Sequence, residues 1–113
     1  MPRDYRLQID DILAAVARIR AYTQGMTYDA FAADLKTQDA VVRNLEVIGE
    51  AARALPEDVR DRTAAVEWRK IIGLRNILIH EYFGVSLPII WDVVTNKLGD
   101  LEAACTEIAN EPE

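Results

Sequence analysis

Apolar residues recur every three or four positions along almost the whole of this chain, a spacing that packed helices bury and strands do not. Leu7, Ile9, Ile12, Leu13, Val16, Ile19 and Tyr22 form the first stripe, with Asp and Arg between them. Gly25 ends it. Thr27 is placed to cap a short helix from Tyr28 to Leu35. Thr37 is placed to cap the next, whose stripe of Val41, Leu45, Ile48, Ala52 and Leu55 stops at Pro56. A loop or single turn over residues 56–63 leads to a helix marked by Trp68, Ile71, Ile72, Leu74, Leu78 and Ile79. Ser86 and Pro88 open a last helix through Ile89, Trp91, Val94, Leu98, Leu101, Cys105 and Ile108. No internal repeat, low-complexity run or strand-like alternation interrupts the pattern. The expected fold is all-α: a four-main-helix up-and-down bundle with a short extra helix, one domain over residues 1–113.

Composition narrows the function classes. The 113 residues suffice for one core and not for two. No apolar run reaches membrane-spanning length, and Met1 to Tyr5 lack a signal-peptide core, so no membrane partner and a cytoplasmic setting are expected. Cys105 stands alone and excludes an internal disulfide framework. With one His and one Cys there is no zinc-ligand pattern, and no metal is expected. A net charge of −6 argues against coating nucleic acid through a broad basic surface. A confined basic cleft remains open, since Arg43, Arg53, Arg69, Lys70 and Arg75 all lie mid-chain.

Several helix positions carry two readings. Glu46 and Glu50 share a helix face, as di-metal carboxylates do, but those sites also need Glu-x-x-His, and Ile77 precedes His80 by three. A solvated or interfacial acidic face is the simpler reading. Trp68 and Trp91 read as core or dimer-contact residues. Gly49 and Gly73 sit mid-helix, where Gly costs about 1 kcal/mol against Ala, so close approach of a neighbouring backbone or of a ligand is expected at both, with helix packing the simpler cause. Cys105 reads as a small buried hydrophobe.

The chemistry concentrates in Arg75-Asn76-Ile77-Leu78-Ile79-His80-Glu81-Tyr82. Arginine offers a charged planar fork that matches phosphate oxygens. Histidine, here the sole one, can take and give a proton near neutrality. On spacing alone, a satisfied helix histidine is the competing reading. Five helical positions rotate by roughly 500°, which leaves Arg75 and His80 about 140° apart around one straight helix. The two can flank one groove if the helix loosens near its end, as Gly84 suggests, or if a second copy supplies the opposite wall.

This run resembles the Arg-x4–6-His motif of the HEPN superfamily, and Arg-x4-His-x-Tyr is similar to the signature of HepT-type toxins. The likeness extends over Val42 to Ala52, Trp68 to Asn76, Tyr82 to Val85 and Trp91. It implies a HEPN-like helical homodimer with a composite cleft and metal-independent endoribonuclease activity needing no cofactor, with RNA as substrate. In that scheme His80 is general acid or base, Arg75 holds the scissile phosphate, and Asn76 orients phosphate or imidazole, giving a 2′,3′-cyclic phosphate product. It further implies a toxin–antitoxin system in which a cognate nucleotidyltransferase antitoxin silences the toxin by AMPylation of Tyr82. Arg43, Glu46 and Glu50 are then expected to line the cleft from the preceding helix. The alternative is a non-catalytic helical module that binds nucleotide or the nucleotidyltransferase.

Overall fold

The computed structural model describes residues 5–80 and 86–112, and within them every element is helical. The elements are α1 (Tyr5–Thr23), α2 (Tyr28–Ala32), α3 (Leu35–Ala54), α4 (Glu57–Asp61), α5 (Trp68–His80), α6 (Leu87–Asp92), a π-helical turn (Val93–Lys97) and α7 (Leu98–Ala109). The four long helices of the expected all-α bundle are α1, α3, α5 and the α6–α7 arm. Helices α1 and α3 form the centre, with α7 against α1 on one side and α5 against α3 on the other.

The three-four spacing is what makes that arrangement pack. Ile9, Ile12, Val16 and Ile19 of α1 meet Val41, Leu45, Ile48 and Ala52 of α3 with almost no exposure. Leu78 of α5 and Leu98, Leu101, Cys105 and Ile108 of α7 complete the core. Full burial of each such aliphatic side chain contributes about 1.5–3 kcal/mol relative to leaving it in water. Two stripe members face out instead: Leu7 is 67% exposed and Tyr22 42%. Tyr22 lies at the edge of the buried face of α1, and Leu7 falls on roughly the opposite side of the helix from that face.

Three boundaries differ from the sequence reading. The short helix ends at Ala32 rather than Leu35, because α3 already begins at Leu35. Its cap is Asp34, not Thr37: the Asp34 carboxylate accepts from the Thr37 backbone N–H at 3.0 Å and the Thr37 hydroxyl at 2.8 Å. Asp at this position satisfies an orphan donor and meets the positive end of the helix dipole. The last helix is not continuous, but widens into a π turn at 93–97. There the Thr95 hydroxyl donates to the Trp91 carbonyl at 2.8 Å, competing with the backbone ladder.

Other signals hold. Gly25 takes φ +75° just past the end of α1, a conformation that costs a side-chain-bearing residue energy. Thr27 caps α2 by accepting from the Ala30 N–H at 3.1 Å. The buried amide of Gln38 donates to the carbonyls of Phe31 and Ala32, tying the end of α2 to α3. Trp91 packs on Phe31 with ring centroids 5.0 Å apart, and Trp68 is buried with its indole N–H bonded to the Thr63 hydroxyl. No described helix is long and apolar enough to cross a membrane.

Candidate active site

The site grows from the crossing of α3 and α5. Position 49 on α3 has no side chain, and α5 fills that space with the Cβ and Cγ of Arg75. The Arg75 side chain is thereby pressed flat on α3, with only 17% of it exposed. Its guanidinium is held at two nitrogens. Nη2 lies 2.7 Å from Glu50 Oε2, and Nη1 donates to Asn76 Oδ1 at 2.9 Å. Buried Nε has no partner among the described residues.

Around this guanidinium is a depression of about 450 Å³. Arg43, Glu46 and Glu50 line it from α3, Arg75 and Ile79 from α5, and Asp11 from α1. The structure therefore brings Arg43, Glu46, Glu50 and Arg75 into one concavity. Arg43 and Glu46 form a loose pair at 3.9 Å. Nothing in the sequence singled out Asp11; its place on the wall depends on how α1 crosses α3, which spacing within α1 does not encode.

His80 is not in this depression. It is the last residue of α5, exposed, and the helix remains regular up to it. The rotation between Arg75 and His80 is thus retained, and a single chain presents them on different faces. Tyr82, together with Glu81 and Gly84, lies outside the described residues. Gly73, unlike Gly49, has nothing among the described residues close enough to meet an added Cβ, so no backbone approach is found there among them. Among the described residues, no three of His, Cys, Asp and Glu gather as metal ligands would.

Electrostatically, the depression is not a ready anion site. Three carboxylates (Asp11, Glu46, Glu50) face two guanidiniums (Arg43, Arg75), so one copy of the wall is formally −1. A phosphate must be drawn by Arg75 against Glu50, or helped by charge from elsewhere.

Residues 12–108 match the family described as Ribonuclease HepT-like. This chain belongs to the HepT-like ribonuclease family. A protein of Methanocaldococcus jannaschii provisionally named an RNase is 44% identical over 118 aligned positions, spanning all of this chain and 98% of the relative. One from Caldanaerobacter subterraneus with the same provisional name is 37% identical, spanning 95% of this chain and 93% of its own. A Thermococcus cleftensis protein provisionally named ribonuclease HepT is 35% identical over 90% of this chain and 93% of the relative. No solved structure gives a significant match.

Proposed function

We propose that the chain is the toxin of a toxin–antitoxin system, a metal-independent endoribonuclease working as a homodimer in the cytoplasm. The observation that carries this reading is the seating of Arg75: a half-buried guanidinium, fixed by Glu50 and Asn76, in a concavity of a HepT-like chain. Arg75 binds the scissile phosphate and stabilises the charge that builds on its oxygens. His80 of a second copy faces that phosphate and removes the proton from the RNA 2′-hydroxyl, or protonates the leaving 5′-oxygen. The P–O bond to the 2′-oxygen forms as the bond to the 5′-oxygen breaks, leaving a 2′,3′-cyclic phosphate.

The second copy is required because α5 turns Arg75 and His80 apart within one chain. Its docking surface is α5 itself, where Ile77 and Ile79 are each 44% exposed beside the two motif residues. Two histidines and two arginines around one cleft also offset the acidic wall. In this reading the cognate nucleotidyltransferase transfers AMP to the Tyr82 hydroxyl, and the added bulk and negative charge compete with RNA phosphate for Arg75.

The test is cleavage of total RNA in EDTA by the purified chain, beside His80→Ala. Cleavage by the unsubstituted protein alone, with cyclic-phosphate ends, supports the reading. If neither cleaves and intact mass shows no adenylate, the chain is a binding module instead. Tyr82→Phe is expected to keep cleavage and to escape the antitoxin.

A further inference from the structure

We propose that Gly49 is a positioning residue for Arg75: by lacking a side chain, it sets where the guanidinium stands in the cleft. The functional half of this inference rests on the ribonuclease reading above; the steric half does not.

Among the glycines of the described helices, Gly49 alone meets such close contact. A Cβ placed there would overlap the Cβ of Arg75 outright, lie 2.7 Å from its Cγ and sit 3.3 Å from the carbonyl oxygen of Ile71. The Cγ can turn about χ1, but the other two atoms cannot swing aside. The Arg75 Cβ is fixed by the α5 backbone, and the Ile71 carbonyl is backbone itself. Any side chain at 49 therefore moves helix α5, not one rotamer. Ile71 and Arg75 are one turn apart, so the α3 backbone at Gly49 nests between consecutive turns of α5.

That nesting has a chemical consequence. The Arg75 stem runs across α3 at position 49, and the next α3 residue, Glu50, then reaches Nη2 at 2.7 Å. Glu50 and the Gly49 gap thus fix the guanidinium from two directions. If α5 lifts, Arg75 loses both the floor under its stem and the Glu50 contact, while His80, the last residue of α5, shifts with the helix. Gly49 lowers the helix propensity of α3 relative to Ala, and the seat it makes for Arg75 is what that loss supports.

Two linked measurements on the full chain test this. First, Gly49→Ala is placed in the unsubstituted protein and in Arg75→Gly, and thermal unfolding is followed for all four. Arg75→Gly removes the Cβ and Cγ that a methyl at 49 would strike. Gly49→Ala should lower Tm markedly in the first background and much less, or not at all, in the second, where only the 3.3 Å approach to the Ile71 carbonyl remains. If Gly49→Ala prevents folding alone, recovery of folding with Arg75→Gly gives the same support. An equal loss in both backgrounds, or failure to fold in both, overturns the steric claim.

Second, RNA cleavage is measured for Gly49→Ala, Arg75→Gly and the pair, at a temperature where circular dichroism shows each folded. We expect kcat to fall at least tenfold in Gly49→Ala, with no further loss when Arg75→Gly, which removes both the guanidinium and the Cβ that is struck, is already present. A merely structural role gives the same additional loss in both backgrounds, and unaltered cleavage by folded Gly49→Ala overturns the positioning claim. Absence of cleavage by the unsubstituted protein counts against the ribonuclease reading, and the thermal comparison, which uses no RNA, still decides the steric half.

Discussion

Glu50 Oε2 stands 2.7 Å from Nη2 of Arg75, yet Glu50 is 57% exposed while Arg75 is 17%. The carboxylate therefore reaches in from the solvent side and occupies an edge of the guanidinium that a phosphate would use. In the proposed mechanism it both aims the arginine and competes with the substrate. Glu50→Gln keeps the shape but removes the competing charge, so RNA should bind several-fold tighter by filter binding on a His80→Ala background. In the otherwise unsubstituted protein, kcat should fall, because an amide holds the guanidinium less firmly. Stability should change by less than about 1 kcal/mol, as for other solvent-reached ion pairs. Weaker binding with unchanged kcat would mean that Glu50 plays neither part.

Regular helix from Trp68 to His80 places Arg75 against α3 and leaves His80 in solvent. A site needing both must draw them from different chains. Arg75→Ala and His80→Ala should each abolish cleavage by a factor of about 10²–10⁴ with Tm nearly unchanged. Mixed and reannealed, the two inactive proteins should regain activity, since about half of the reformed dimers join the two variants and each of these carries one intact pairing of Arg75 with His80. No recovery, with exchange of subunits shown by mass, would place the whole site within one chain.

The helices and most of the core were readable because burial imposes the three-four period directly on α1, α3 and α7. What sits between the helices was less readable. Thr37 and Asp34 are both good caps, and only the turn joining α2 to α3 decides that Asp34 precedes the first helical residue. The π turn at 93–97 keeps an apolar stripe compatible with a straight helix, so nothing in the spacing marks it. At the site, the helical rotation already separated Arg75 from His80, and the structure keeps them apart. The mid-helix Gly49 signalled a close approach, but that the approaching atoms belong to Arg75 is a matter of how α5 crosses α3. The same signal at Gly73 meets no neighbour among the described residues.

Cys105 is fully buried on α7, and burial pushes its thiol pKa up to about 12. The thiolate is the reactive form, and at pH 8 a pKa near 12 leaves a fraction of ~10⁻⁴ ionised. Native protein should therefore react with an aromatic disulfide reagent far more slowly than unfolded protein, in which one thiol titrates within minutes. Rapid labelling of the folded chain would show that α7 opens away from α1.

Asp34 offers a test of the α3 cap by acid. Its carboxyl is held below the ordinary carboxylate range, chiefly by the backbone N–H of Thr37 and then by the Thr37 hydroxyl. A carboxyl that ionises more readily folded than unfolded stabilises the fold at every pH above its unfolded value, near 4. That contribution is lost as pH falls through the lower folded value. Asn can still accept the Thr37 N–H but carries no charge for the helix N-terminus. Asp34→Asn should therefore lower Tm by a few degrees at pH 7, and the gap from the unsubstituted protein should close as pH drops below about 4. Thermal melts of both proteins from pH 7 to pH 3 measure it. A gap that stays constant through the acid range would mean that the Asp34 charge does not stabilise α3, leaving only the shape of its hydrogen bonds as the cap.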